Sequence, residues 1–202
     1  RPLGEHEPLV EGLLARADAD MLPQFSAQSL SMLVFACRRL KRRDVPLLTR
    51  VAKAVIPRVS EFTPQALALI AHGFAKLEVR SEILFYLLAA EMVDKMPLFT
   101  GQGIGMVLRA YGRLEIKNEK LVQACRRQVR ALRDELTLPE VDAIEKGFDA
   151  LGMLDGSTAS LLRQQRRNLS TMPAAAPGEE PSHAWAADED RLLRRMTEEE
   201  PE

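Results

Sequence analysis

Polar and basic residues recur in the sequence at a spacing of 37 residues. One column holds Gln28, Gln65 and Gln102, and a second holds Arg39, Lys76 and Arg113. A third column changes chemistry from copy to copy and contains Phe35, His72, Arg109 and Lys146. Arginine and lysine bind phosphate groups, whereas glutamine and histidine can hydrogen-bond to other polar groups. These residues therefore predict a surface that contacts a polar, anionic partner once in each copy.

Short basic turns add further cations, namely Lys41, Arg42, Arg43, Arg80 and Lys117. Residues 25–172 contain 23 Lys and Arg against 15 Asp and Glu, whereas residues 1–24 and 173–202 carry net charges of −3 and −6. A basic middle with acidic ends favours an anionic partner for the middle. A solvated helical surface can carry a similar surplus, and this explanation also stays open for the clusters 126–133 and 163–167.

The sequence lacks the constellations of residues that catalysis requires. We find no pair of carboxylates, Ser/His/Asp or Cys/His arrangement, or phosphate-binding loop. The three histidines, His6, His72 and His183, are far apart and have no metal-ligand spacing. We therefore predict no catalytic residues, no metal site, no cofactor and no enzymatic activity.

Cys37 and Cys125 lie within apolar helical patterns, which favours buried free thiols in a reducing compartment. No apolar run approaches the length that crosses a bilayer, so we expect no membrane partner. Nothing in residues 1–24 resembles a signal peptide. Because the chain starts with Arg1, we expect that it has been processed or trimmed, or that it begins partway through a longer protein.

A repeat of 37 residues provides the elements that position these side chains. The segment 25–30 recurs at 62–67 and 99–104, and a degraded copy occupies 136–141. Four columns in each copy are apolar at positions i, i+3, i+7 and i+10, which is one stripe of a helix. The columns begin at Leu30, Leu33, Cys37 and Leu40. Beside them, the small residues Ala36, Gly73, Ala110 and Gly147 predict close helix packing.

Each copy also carries the signals that start two helices. Ser26, Thr63, Thr100 and Thr137 are predicted N-caps of the first helices. Asp44, Ser81, Asn118 and Asp155 are predicted N-caps of the second helices. The sequence thus predicts an all-α fold, an α-α superhelix (solenoid) of about four and a half helix–turn–helix repeats.

We divide the chain on this basis. Residues 1–24 form an N-terminal half-repeat, and the four full repeats are 25–61, 62–98, 99–135 and 136–172, called repeats 1 to 4 below. The polar first helix of repeat 4 is suited to end the array. Residues 173–202 are predicted to be a linker and acidic tail, partly disordered or docked on a partner through Trp185.

The pattern from Phe62 to Leu77, with its Phe-Thr-x-Gln start, resembles the organellar RNA-binding helical repeats, the heptatricopeptide and octotricopeptide families. The resemblance covers residues 8–172, and no RAP domain follows. It implies binding to organellar RNA, often ribosomal RNA, in the mitochondrial matrix, with a plastid also possible. The residues expected to contact RNA are Gln28, Arg39, Lys41, Arg42, Arg43, Gln65, His72, Lys76, Arg80, Gln102, Arg109, Arg113, Lys117 and Lys146.

Four repeats that contact one base each would cover only about four nucleotides. The sequence therefore favours a structural component of a mitochondrial ribosome or related ribonucleoprotein, in which other proteins supply further affinity. The alternative is a protein–protein scaffold whose solenoid groove holds a helix or peptide of a partner.

Overall fold

The computed structural model describes residues 21–171, and in this range the fold is all-α, as predicted. The first helices of the four repeats are α1 (Ala27–Arg39), α3 (Pro64–Lys76), α5 (Gly101–Arg113) and α7 (Leu138–Leu151). The second helices are α2 (Val45–Val55), α4 (Glu82–Lys95), α6 (Glu119–Ala131) and α8 (Gly156–Thr171). Short 3-10 helices span Leu22–Gln24, Ile56–Glu61 and Met96–Leu98. The predicted N-terminal half-repeat (apart from its last residues), the linker, the acidic tail and Trp185 lie outside the described residues.

Side-chain caps fix where most of the helices begin. The Oγ atoms of Ser26, Thr63 and Thr100 each accept a hydrogen bond from the backbone N–H three residues later. At the start of α7, the backbone N–H of Thr137 donates to the Glu140 carboxylate (2.9 Å). These contacts pair N–H groups that have no partner inside the helix. The first-helix starts are therefore where the sequence predicted them.

The second helices follow the same principle with one exception. Asp44, Asn118 and Asp155 accept hydrogen bonds from the backbone N–H of the third residue after each. Ser81 occupies the N-cap position of α4, as predicted, but its side chain makes no cap hydrogen bond. The N–H donation from Thr158 also holds the pKa of Asp155 below its usual range.

A left-handed residue ends each first helix. Lys41, Glu78, Glu115 and Gly152 have φ angles of 53°, 55°, 55° and 64° and are spaced 37 residues apart. A left-handed residue just after a helix lets the next N–H groups bond back to the last carbonyls, as in Arg42 to Cys37 (2.9 Å). The chain therefore leaves all four first helices in the same way and turns into the second helix.

The apolar columns form the core. The Leu30 and Cys37 columns are buried in every copy, including Phe74, Tyr111 and Phe148. Both cysteines are free and buried, as predicted. Burial raises the pKa of the Cys37 thiol to about 11 and that of Cys125 to about 12, so neither is a ready nucleophile.

The first helices also pack side by side: α1 against α3, α3 against α5, and α5 against α7, which is the most extensive contact. A Cβ placed on Gly147 would lie 2.5 Å from the Leu108 Cβ, and one on Gly73 would lie 2.3 Å from the Val34 Cγ1. Both distances are shorter than a real contact allows. The glycines in the small-residue column therefore permit the close helix packing that the sequence predicted.

One polar side chain near the end of each second helix, or in the turn that follows it, donates to a carbonyl at the start of its own repeat. Arg58 donates to Phe25 O (2.6 Å), Lys95 to Phe62 O (2.8 Å), Gln128 to Phe99 O (3.1 Å) and Gln165 to Leu136 O (3.3 Å). We call these four donors the closing residues. They tie the end of each helix pair to its beginning.

Candidate nucleic-acid interface

The exposed edge of the first helices carries two of the predicted columns. Gln28 and Gln102 are exposed, and Gln65 is half-buried. Arg39, Lys76 and Arg113 are all exposed in the last turns of α1, α3 and α5. Because these three helices pack in series, the three cations form one row that crosses them. We call this row the cation row.

The third column, which changes chemistry from copy to copy, is exposed in only two of its four positions. Arg109 and Lys146 are exposed, but Phe35 is only 2% exposed and His72 only 7%. The prediction that this column lies on an open face is therefore wrong for repeats 1 and 2. Helical periodicity describes one helix only. In the structure α1 packs against α3, and α3 packs against both α1 and α5, and each also contacts its own second helix. The guanidinium groups of Arg38 and Arg39 also cover the Phe35 ring, at 4.6 and 5.9 Å from its centroid.

His72 lies at the centre of the positive charge. Its pKa is lowered to about 3, first by burial and then by the charges of Arg38, Arg109, Lys76 and Arg113. These cations belong to α1, α3 and α5, so cations on three neighbouring first helices act on one imidazole. Its Nδ1 atom is buried and has no hydrogen-bond partner. His72 is thus a neutral side chain in a strongly cationic setting, rather than an exposed ligand for RNA.

Two of the predicted turn cations connect consecutive repeats. Arg43 donates from Nε to Leu77 O (3.0 Å) and from Nη2 to Glu78 O (3.4 Å). Arg80 makes the equivalent contact with Leu114 O (3.3 Å) and pairs with Glu82 (3.2 Å). These side chains therefore have structural roles at the carbonyl ends of the next first helix. Lys41 and Lys117 are exposed, and Arg42 is half-buried.

Arg113 of the cation row and Arg109 of the third column make local contacts. Arg113 pairs with Glu78 (2.9 Å) across the gap between repeats 3 and 2. Arg109 donates to Gly105 O (3.2 Å) in its own helix. Both side chains remain exposed, so these contacts orient the guanidinium groups and leave part of each accessible.

An open depression of about 510 Å³ separates the carboxyl ends of α1 and α3. Its lining residues are Arg38, Lys41, Arg43, Lys76, Leu77 and Glu78. Four of these six side chains are cationic. Arg38 was not among the predicted site residues, because it lies outside the columns that begin at Gln28, Phe35 and Arg39. Its position directly before Arg39, in a basic helix end, was the only signal in the sequence.

Repeat 4 does not continue the positive surface. Ala150 takes the place of Arg39, Lys76 and Arg113, and Asp149 beside it is exposed. Asp142 and Glu145 both accept from Arg166 at 2.6 Å. In the cluster 126–133, Arg126 pairs with Asp155 (2.9 Å) and donates to Met153 O (2.6 Å), which is a structural role. The cationic face therefore belongs to repeats 1 to 3.

Residues 21–171 contain neither of two further kinds of site. This part of the chain contains no group of three or more His, Cys, Asp or Glu that could hold a metal ion. No helix in the same range is long and apolar enough to span a membrane.

Comparison with known proteins supplies a family. The model of the family described as RNA-editing substrate-binding complex 6 protein matches residues 35–169. No curated protein matches the chain significantly. The matched family differs from the heptatricopeptide and octotricopeptide families expected from the sequence, but it too is associated with RNA by its description. Since the match covers more than half of the chain, this protein belongs to the RNA-editing substrate-binding complex 6 family.

Proposed function

We propose that this protein is a non-catalytic RNA-binding subunit of an RNA-editing substrate-binding complex. The observation that carries the proposal is the cation row of Arg39, Lys76 and Arg113, which recurs on three packed helices. The family description names both an RNA substrate and a complex, and it supports this assignment. The family match favours RNA editing, whereas the ribosome and ribosomal RNA expected from the sequence have no support from it.

The packing of the first helices supports an α-solenoid of four repeats with RNA lying across it. Neighbouring helix axes are separated by about 8–10 Å in protein packing. A strand that crosses α1, α3 and α5 would therefore meet one cation of the row at each helix. Few phosphate contacts give weak binding, which salt weakens further. Other subunits of the complex would therefore supply the remaining affinity. A mitochondrial matrix or plastid location remains a prediction.

The test is RNA binding by the full chain across a salt series. Changing Arg39, Lys76, Arg109 and Arg113 together to Ala should weaken binding to short single-stranded RNA and flatten its salt dependence. The matched control changes four exposed cations of the second helices to Ala: Lys53, Lys120, Arg127 and Arg130. Both variants lose the same charge, so a general electrostatic effect would weaken them equally.

Fluorescence anisotropy at several salt concentrations would separate the outcomes. Loss of affinity in the variant without Arg39, Lys76, Arg109 and Arg113, but not in the control, supports RNA binding at the cation row. Equal affinities for the two variants would contradict the assignment of this face, and an absence of salt-dependent binding by the unmodified chain would contradict direct RNA contact.

A protein-binding role is the second candidate, and α4 carries an observation that favours it. Ile83 and Tyr86 are 66% and 71% exposed and lie one helical turn apart. Large apolar side chains on the same exposed helix face are typical of protein contacts. This function would use the second helices, and changing both residues to Ser should leave RNA binding unchanged.

A further inference from the structure

Four cationic side chains line the depression between α1 and α3. It lies at the carboxyl ends of these helices, whose partial negative charge alone would repel an anion. Here Arg43 donates to the carbonyls of Leu77 and Glu78, which offsets that charge at the end of α3. The acidic side chain in the lining, Glu78, is paired with Arg113 at 2.9 Å. The negative charge at the end of α3 and on Glu78 is therefore compensated.

Two ammonium groups in the depression are available for a ligand. Lys41 and Lys76 are exposed, and neither forms an ion pair with any residue between 21 and 171. They come from different repeats, so their charges meet only because α1 packs against α3. Arg38 lines the same depression, and its guanidinium is held over the Phe35 ring.

A second, independent observation concerns His72, one helical turn before Lys76 on α3. Its Nδ1 atom is buried without a hydrogen-bond partner. Burial of an unpaired polar atom is unfavourable. The charges that act on His72 include Arg38 and Lys76, which also line the depression. The imidazole and the depression therefore share two neighbouring cations.

We propose that this depression binds one phosphate group of RNA, held by Lys41, Lys76 and Arg38. The inference rests on the proposed RNA-binding function and assigns a single phosphate to the junction of repeats 1 and 2. The group is either an internal phosphodiester or a terminal phosphate, because both present the same anionic oxygens.

The experiment compares Lys41→Gln/Lys76→Gln with the control Lys53→Gln/Lys120→Gln in the full chain. Each double variant removes two exposed ammonium groups, and the control pair lies on α2 and α6. Binding of single-stranded RNA carrying either a 5′-phosphate or a 5′-hydroxyl is measured across a salt series. One lost phosphate contact lowers the slope of log K against log salt by about 0.7 for a single strand.

We expect a fall of about 0.7 in the slope for the Lys41/Lys76 variant and no change for the control. A loss confined to the 5′-phosphate RNA identifies a terminal phosphate, and an equal loss with both RNAs identifies an internal one. An unchanged slope, a fall matched by the control, or a fall of about 1.4, which means two separate phosphates, would overturn the single site.

Inorganic phosphate separates this inference from the proposed function. If the unmodified chain binds no RNA, the proposed function fails, and titration with phosphate then tests the site alone. The site predicts that phosphate shifts the imidazole resonance of His72, identified by its loss in His72→Phe, and that Lys41→Gln/Lys76→Gln abolishes the shift. No shift in the unmodified chain would overturn the site.

Discussion

At the residue scale, His72 shows how neighbouring helices change the chemistry of one side chain. The equivalent position in repeat 1 holds Phe35, which is also buried, so the pocket between adjacent first helices accepts an aromatic ring in both repeats. In repeat 2 the ring is an imidazole that must remain neutral beside four cations. An aromatic replacement at this position would keep the packing and remove the titration.

His72→Phe should therefore reduce the loss of stability at acidic pH. The folded-state pKa of about 3 is lower than the usual 6.5, so the unfolded chain binds more protons between these values. His72 thus contributes stability that is present above pH 6.5 and is lost as the pH falls toward 3. The free energy of unfolding of the unmodified chain should fall faster than that of His72→Phe, by up to about 1.4 kcal/mol per pH unit.

Urea unfolding of the two proteins at several pH values checks this prediction. All other ionisable groups are the same in the two proteins, so the difference between the two curves concerns His72 alone. Parallel curves from pH 7 to 4 would show that His72 can be protonated in the folded state without cost.

The burial of Phe35 and His72 could not be predicted from the sequence because helical periodicity gives directions around one helix only. The columns opposite the apolar stripe include positions that face the next first helix, and their exposure depends on how closely the helices approach. Arg39, Lys76 and Arg113 are exposed as expected, since they lie in the last turns, where that contact ends. The cation row was thus predictable, and the depression beside it was not.

At the element scale, the N-caps and apolar columns allowed both helices of each repeat to be predicted, because caps and stripes are local signals. The closing residues gave no such signal. Arg58 and Lys95 are 37 residues apart, but Gln128 lies one helical turn earlier in its repeat than Lys95. Three different residue types thus reach equivalent carbonyls, and only the packed structure reveals their shared role.

Lys95→Met should destabilise the protein, because Lys95 donates to both Ser60 O (2.6 Å) and Phe62 O (2.8 Å). Its side chain is 25% exposed, so we expect a loss of about 1–2 kcal/mol in the free energy of unfolding. Lys95→Arg is the matched control, since Arg58 makes the same contacts in repeat 1. Chemical denaturation should place Lys95→Arg close to the unmodified chain, and an equal loss in both variants would argue against the hydrogen bonds.

Gly147→Ala should also destabilise the protein, by up to about 2 kcal/mol. Alanine favours a helix by about 1 kcal/mol over glycine, but overpacking costs about 1–3 kcal/mol. The added methyl would meet the Leu108 Cβ at 2.5 Å and the Arg109 backbone N at 3.2 Å, so α5 and α7 must move apart. Gly156→Ala, where a Cβ has nothing within 4 Å, should be neutral or stabilising in the same thermal and urea unfolding measurements. If Gly147→Ala is as stable as Gly156→Ala, α5 and α7 can move apart at little cost in free energy, which would contradict the prediction.

At the scale of the whole molecule, charge is distributed unevenly over the first helices, which pack side by side. Repeats 1 to 3 place a cation at the end of each first helix, whereas repeat 4 has Ala150 there. Asp142 and Glu145 of α7 both pair with Arg166 of α8, so ion pairs connect these two helices. The first helix of repeat 4, α7, packs against α5. Its surface does not continue the cation row, so RNA bound as proposed is expected to contact the first three repeats only.

This asymmetry can be tested by extending the row. Ala150→Arg places a guanidinium at the exposed position equivalent to Arg113, so RNA that crosses the first helices should gain one phosphate contact. The expected result is tighter binding of single-stranded RNA, with a salt slope steeper by about 0.7. Ala131→Arg, which adds the same charge at the exposed end of α6, is the control and should leave the slope unchanged. The neighbouring Asp149 opposes the gain, so Ala150→Arg/Asp149→Asn should show it more strongly than Ala150→Arg alone. If Ala150→Arg and Ala150→Arg/Asp149→Asn both bind like the unmodified chain, RNA does not run along the row toward repeat 4. The proposal that RNA crosses the first helices would then be wrong.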